Sequence, residues 1–161
     1  MPLHNIAPLF DTDSKILILG SFPSVKSREE GFFYGHPQNR FWKVISKIFD
    51  MPEPHNIPDK CKLLLSNNLA LWDVIGSCDI VGSSDSSIKN AVPNDISSVI
   101  SASRIEKIIL NGKTAEKYYN RYLKEKIPIE AKTLPSTSPA NAAWTLDRLT
   151  EEWRTAIKCS E

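Results

Sequence analysis

Four short polar segments carry most of the side chains in this chain that could do chemistry. Gly20-Ser21-Phe22-Pro23-Ser24 offers hydroxyls and backbone groups able to wrap a small planar or anionic group. Gly35-His36-Pro37-Gln38-Asn39-Arg40 follows Phe32-Phe33-Tyr34 directly. An aromatic there either stacks on a ligand, a contact worth about 1–3 kcal/mol for a nucleobase, or belongs to the core. The polar stretch behind it reads equally as a capped helix start with Arg40 in solvent. Pro135-Ser136-Thr137-Ser138-Pro139 is either a rigid turn or a set of hydroxyls and free amides suited to a phosphate. Asn111-Gly112-Lys113 is the fourth segment.

Other chemistries find little support. Gly20 to Ser24 lacks the Gly, four residues, Gly-Lys-Ser/Thr spacing of a P-loop, and no further glycine completes a dinucleotide fingerprint. It does not match a nucleophile elbow, and a hydrolytic serine would have only His36 as its base. His4, His36 and His55 lie in unrelated places, so no metal site is expected. Cys61, Cys78 and Cys159 read as thiols of a reducing compartment rather than a disulfide framework. Asp73, behind Trp72, reads as a structural hydrogen-bond acceptor.

The elements that must position these segments alternate along the chain. Ile16-Leu17-Ile18-Leu19 predicts a strand buried on both faces. Residues 21–38 read as a long loop, a length that is uncommon unless it lines a site. A helix is predicted from about Asn39, where Phe41, Val44, Ile45, Ile48 and Phe49 make one apolar face and Asn39 can cap free amides. A second helix opens at Pro58, with Ile57, Cys61, Leu64 and Leu65 on one side. Leu69 to Ile75 predicts a strand, residues 76–90 a serine-rich loop, and Asp95 to Ser103 a helix. Ile105 to Leu110 predicts a third strand, followed by a helix carrying Ala115, Tyr118, Tyr119, Tyr122 and Leu123. Ile127 to Leu134 predicts a fourth strand. The last helix is expected from Ala140 to Lys158, capped by Ser138 with Pro139 in its first turn, and with Ala143, Leu146, Leu149, Trp153 and Ile157 inward.

This order predicts an α/β fold: a single-domain, three-layer α/β/α sandwich around a central, mostly parallel four-stranded sheet. One domain over residues 1–161, with its core at about 14–158, accounts for the length. In such a sheet ligands sit beyond the carboxyl ends of the strands, so the polar segments that follow strands should converge on one edge. The charges nearly balance, 20 Lys plus Arg against 19 Asp plus Glu, which excludes a histone-like or strongly acidic chain. A local basic rim remains open, with Lys26, Arg28, Arg40 and Lys43 as candidates. The opening Met1-Pro2-Leu3-His4-Asn5 does not suggest a secretory leader, and no run of 18 apolar residues suggests a span. A cytoplasmic, nucleoid-associated location without membrane contact is expected.

The segment Phe33-Tyr34-Gly35-His36-Pro37-Gln38-Asn39-Arg40-Phe41-Trp42-Lys43-Val44-Ile45 resembles one in the uracil-DNA glycosylase superfamily. Gly20-Ser21-Phe22-Pro23-Ser24 sits where that superfamily carries its first catalytic motif. Leu134-Pro135-Ser136-Thr137-Ser138-Pro139-Ala140-Asn141 sits where it carries its second. Leu71-Trp72-Asp73-Val74 and Leu110-Asn111-Gly112-Lys113 resemble further segments, in the correct order over residues 14–158. The mismatch-specific branch has an asparagine where Phe22 stands. Gly-Ser-Phe-Pro-Ser with an asparagine in Pro-Gln-Asn-Arg instead resembles the hypoxanthine-DNA glycosylase branch.

The resemblance implies a monofunctional glycosylase that takes deoxyinosine out of double-stranded DNA and releases hypoxanthine; a monomer is expected because the active edge must receive a duplex, and no metal or cofactor is expected. Asn39 would orient the attacking water and meet the sugar cation through its amide oxygen. His36 would either assist protonation or brace the loop. The Gly20, Ser21, Phe22 and Pro23 backbone would hold the base edge, and Phe33 or Tyr34 would stack on it. Ser24, Lys113, Ser136, Thr137, Ser138 and Pro139 would meet DNA phosphates, with Thr137 or Pro139 as the wedge. The rival readings are excision of uracil or another damaged base, a non-catalytic DNA-binding module, and a small nucleotide or sugar-phosphate enzyme.

Overall fold

The computed structural model describes residues 6–158. Residues 1–5 and Cys159, and with them the readings of the N-terminal opening and of His4, lie outside the described residues. From the N-terminus the elements are β1 (Ile16–Gly20), α1 (Val25–Glu30), α2 (Phe41–Ile48), α3 (Ile57–Leu65), β2 (Leu69–Asp73) and β3 (Ile75–Asp79). Then come β4 (Lys89–Pro93), α4 (Ile96–Ser101), β5 (Lys107–Asn111), α5 (Lys113–Tyr122), β6 (Ala131–Leu134) and α6 (Leu146–Lys158).

Strand residues point alternately to opposite faces, and β1 is apolar on both. Ile16 and Ile18 enter one cluster, while Leu17 and Leu19 enter a second. The first cluster holds the inward faces of α2, α3 and α6; the second holds those of α4 and α5. The layers are therefore helix, sheet, helix. The main sheet has four strands in the order β2-β1-β5-β6, and every pairing in it is parallel.

That order creates a switch. The chain leaves β1 towards β2 through α2 and α3 on one face. It leaves β5 towards β6 through α5 on the other. β1 and β5 are neighbours, so the loops behind them part, and a crevice opens between their carboxyl ends.

Several expected elements differ, each for a physical reason. The loop over residues 21–38 contains α1, capped by Ser24, whose hydroxyl accepts the Ser27 amide at 3.1 Å. In α3 the buried residues are Leu63 and Leu64, and Ile57 is exposed; Asn56 caps the helix by accepting the Asp59 amide at 2.8 Å. Residues 76–90 are not loop throughout: β3 and β4 pair as an antiparallel hairpin, with a short 3-10 turn at Asp85–Ser87. Register shifts in the hairpin and the exposure of Lys89, Asn90 and Val92 removed the alternation that marks a strand. β2 stops at Asp73; Val74 is a bend, although its amide still donates to the Gly20 carbonyl at the end of the ladder. β6 starts at Ala131, because the Ile127 amide still bonds the Leu123 carbonyl behind α5.

The last helix begins at Leu146 and not at Ala140. Arg40 explains the difference. Its guanidinium donates to the carbonyls of Ser138, Asn141 and Trp144, acceptors that would otherwise lie along the expected first turns of that helix. Ser138 still accepts the Ala140 amide, but the chain turns on, and Ala143 is exposed instead of inward. Arg40 itself is a clamp and not a solvent-facing residue.

Trp153 of α6 is fully buried, meets Phe41 edge-on at 6.1 Å between ring centroids, and donates its indole N–H to the Pro135 carbonyl at 3.0 Å. It thereby fixes the height of the segment behind β6. Trp153→Ala should lower stability by about 3–5 kcal/mol, measured by urea unfolding, and should loosen residues 135–139.

Candidate active site

The crevice at the switch is a cavity of about 310 Å³. That lies at the small end of ligand sites, which run from about 300 to 1,000 Å³. The segment behind β1 supplies Gly20, Ser21, Phe22, Pro23 and Ser24, and the aromatic-polar segment supplies Phe33, Tyr34, His36 and Asn39. Ser136, Thr137, Ser138 and Pro139 close it from behind β6. Of the site residues expected from sequence, Lys113 alone lies elsewhere. It lines an adjoining groove of about 620 Å³ with Thr114, Asn141 and Trp144.

Close backbone approach sets the floor. A Cβ on Gly20 would stand 2.5 Å from Asp73 Oδ1 and 3.1 Å from the Tyr34 hydroxyl. Only glycine lets β1 end against the carboxyl group that closes β2. Asp73 is buried and lines the cavity. Tyr34 holds a left-handed backbone conformation, φ 52°, an uncommon one for a side chain of this size. Its ring stacks on Phe41 at 4.2 Å between centroids, so one face is covered. Burial first, and then the Asp73 charge, push the Tyr34 hydroxyl well above the ordinary tyrosine range, so it stays protonated.

A chain of hydrogen bonds joins three segments behind the cavity wall. The Thr137 amide donates to Asn111 Oδ1, and Asn111 Nδ2 donates to the Tyr34 and Thr137 hydroxyls, each at 3.1 Å. The Thr137 hydroxyl donates to Asn39 Oδ1 at 2.9 Å. The same oxygen takes the Phe41 backbone N–H at 2.9 Å. Asn39 thus satisfies one free amide of α2, as expected, but from one position before the N-cap, which is Arg40 and makes no side-chain cap bond. The Asn39 amide oxygen, however, is held by two donors and is not open to a water or a sugar, contrary to the expected use of that atom.

Other expected roles change as well. Thr137 is fully buried and bonded on both sides, so it is neither a wedge nor a phosphate contact. Ser24 lines the cavity, but its hydroxyl is committed to capping α1. Ser136 and Ser138 form a turn in which Ser136 Oγ accepts the Ser138 amide. Because α6 starts later, this segment offers no helix N-terminus to an anion. His36 Nδ1 accepts the Gln38 amide at 3.1 Å, which matches bracing of the loop. Phe22 and Phe33 line the cavity from within the two cores, 8% and 2% exposed. In the basic rim, Arg28 is held by the Pro23 and Gly82 carbonyls and Lys26 pairs with Glu30, while Lys43 is exposed.

The hairpin brings a residue that sequence reasoning passed over. Asp85 lines the cavity and accepts from Ser21 Oγ at 3.3 Å. Ser83 and Gly82 dock beside it on the Val25 amide and Arg28. The residue is exposed overall, yet the cavity wall strips water from its carboxyl group. That desolvation, opposed by hydrogen bonds from Thr114 and Ser21 and reinforced by the Asp73 charge, raises Asp85 above the usual carboxylate range. Asn111, part of the fourth polar segment but given no role, and Asp73, read as a structural acceptor, also line the cavity, whereas Asp85 went unrecognised. The first two end strands, a position that marks them in any parallel sheet; Asp85 sits in a serine run with no such mark.

The family model described as the Uracil DNA glycosylase superfamily matches residues 7–158. A Methanosarcina acetivorans protein named hypoxanthine DNA glycosylase is 33% identical over 156 residues, covering 93% of this chain and 94% of that protein. One of the same name from Methanosarcina barkeri is 31% identical over 143 residues, covering 88% and 89%. The solution NMR structure of a Methanosarcina acetivorans protein is similar at a TM-score of 0.81 and 31% identity, over 96% of this chain and 95% of that one.

Gly20→Ala should push Asp73 and Tyr34 apart and close the cavity, so ligand binding measured by calorimetry should be lost while far-ultraviolet circular dichroism stays folded. Raising the Asp85 carboxyl makes its contribution to stability full below its unfolded pKa, about 3.9, and lost as pH rises through the folded value. Asp85→Asn should therefore be more stable than wild type at pH 7, with the gain vanishing in acid, as read by urea midpoints across pH.

Proposed function

This chain belongs to the uracil DNA glycosylase superfamily, and from that premise we propose that it excises hypoxanthine from deoxyinosine in double-stranded DNA. Its chemistry is that of a DNA glycosylase acting on a deaminated base; the choice of hypoxanthine is our reading. The observation that carries it is the provenance of the carboxamide in the cavity. The segment behind β1 has no Asn or Asp, and Asn39 stands in the cavity from the next segment instead. Two relatives named hypoxanthine DNA glycosylase support the same choice.

The damaged nucleotide must leave the stack, since its glycosidic bond is out of reach inside a duplex, and an inosine mispair opens at lower cost than a normal pair. The purine then enters the crevice between the ends of β1 and β5. Phe33 or Tyr34 supplies the aromatic wall, and the Gly20 to Pro23 backbone supplies the base edge. Ser136, Ser138 and Pro139 stand at the mouth towards the strand, with the exposed Lys43 in the first turn of α2. A few phosphate contacts give a correspondingly small salt dependence.

Cleavage develops positive charge on the sugar and negative charge on the base. A fixed donor at the departing base can supply about 3–4 kcal/mol without a strong acid. Among the described residues no lysine lines the cavity, which supports a monofunctional enzyme that leaves an abasic site. The reaction needs no second copy of the chain, no metal and no cofactor. We place it in the cell's DNA-containing compartment, acting as a monomer.

The test uses end-labelled duplexes carrying one deoxyinosine or one deoxyuridine, with hot alkali to cut abasic sites. Inosine strands should break only after alkali, and Asn39→Ala should cut slowly while still binding duplex. Preferential breakage at uracil would overturn the hypoxanthine assignment and keep the superfamily chemistry. No breakage by folded protein that still binds duplex would leave a DNA-binding module.

A further inference from the structure

We infer that Asn39 enters the reaction as a hydrogen-bond donor to the departing purine, and that Thr137, acting through Asn39, holds it in that orientation. The inference rests on the glycosylase reading above and adds the direction in which its central side chain works.

The direction of every bond in the network is forced. A backbone N–H only donates, so the Asn39 atom 2.9 Å from the Phe41 nitrogen is the amide oxygen. By the same reasoning the Thr137 amide identifies Asn111 Oδ1, which turns the Asn111 NH₂ towards the Thr137 hydroxyl. That hydroxyl already receives a proton from Asn111, so its own proton goes to its other neighbour, Asn39 Oδ1, at 2.9 Å. Both lone pairs of the Asn39 oxygen are then filled. Flipping the carboxamide would set its NH₂ against the Phe41 N–H, two donors facing each other, and lose that bond. Thr137 is fully buried, so water has no access to take its place.

What Asn39 keeps for the cavity is its NH₂, which has no hydrogen-bond partner among the described residues. A hydrogen bond donated to the attacking water would use one of its two lone pairs and draw electron density from the oxygen that must reach C1′, so it would not activate the nucleophile. The productive acceptor is the base. As the C1′–N9 bond breaks, its electron pair moves onto the purine, and N3, N7 and O6 gain negative charge. The water oxygen bonds to C1′ and gives up one proton to a carboxylate lining the cavity, where Asp73 and Asp85 stand, and on to solvent. The hypoxanthine anion takes its proton from solvent. Asn39 is in this sense a catalytic residue, whereas Thr137 is a positioning residue.

Single-turnover cleavage of the deoxyinosine duplex separates this role from water activation. Asn39→Asp keeps the acceptor oxygens and loses the donor. It should fall as far as Asn39→Ala, about 100- to 1,000-fold, the usual cost of deleting one such donor. In acid the carboxyl group of the Asn39→Asp variant takes up a proton and can donate it in a hydrogen bond. That variant should therefore recover relative to Asn39→Ala as pH falls, opposite to a base. Thr137→Val should lower the cleavage step with duplex affinity unchanged, and Thr137→Ser should restore most of it. Circular dichroism checks that each variant is folded, and if Thr137→Val is not, Asn39→Asp still decides.

Near-wild-type or faster cleavage by Asn39→Asp at neutral pH overturns the donor role. A fully active Thr137→Val overturns the positioning role. If the wild type cuts uracil and not inosine, the substrate reading fails and the same variants are compared on the uracil strand. If it cuts neither, the glycosylase reading itself has failed.

Discussion

Two neighbouring parallel strands that send their successors to opposite faces of a sheet are the constraint on which the rest of this structure depends. The divergence behind β1 and β5 cannot be filled by backbone from either side, so a crevice exists before any side chain is chosen. Two apolar clusters, one per face, hold the strand ends at fixed height. Only because those ends are fixed can Gly20 approach Asp73 as closely as it does. The site is thus a product of topology first and of residue chemistry second.

On that frame the polar groups are largely committed to one another. Asn111 and Thr137 use their hydrogen-bonding capacity to join the ends of β5 and β6 to Asn39 and Tyr34. Buried networks of this kind specify a unique geometry when every member is satisfied, and are costly when one is removed. The left-handed backbone at Tyr34 belongs to the same arrangement. It is an unfavourable local conformation held by the stacked Phe41 ring and the hydroxyl's bond to Asn111. Rigidity at the cavity wall is therefore assembled from long-range contacts, and no single segment contains it.

This explains what could be read from the sequence and what could not. Ile16 to Leu19 declared a doubly buried strand because burial on both faces leaves an unbroken apolar run. The face of α2 was equally plain from Phe41, Val44, Ile45 and Ile48. The polar segments behind β1, β5 and β6 found their common edge because parallel topology forces it. The β3–β4 hairpin stayed hidden, since one face of β4 meets solvent and its shifts in register break the two-residue period. Asp85 was hidden with it. The start of α6 was misplaced because a local signal, Ser138-Pro139, competes with a guanidinium almost a hundred residues away in sequence. Asn39 was found, but which end of its carboxamide works is decided by Thr137 and Phe41 together, and no spacing rule encodes that.

The Arg40 clamp bears on how the site meets its substrate. By gripping the carbonyls of Ser138, Asn141 and Trp144, it makes one rigid rim of the segment before α2 and the segment before α6. Such a rim has no hinge with which to swing over a bound base. Enzymes that close a loop over substrate lose conformational entropy at that moment and often wait on the loop to reopen. On the glycosylase reading, a rim clamped in this way leaves most of the motion needed for entry to the nucleic acid, and the opening of a weakened base pair takes the place of a moving lid.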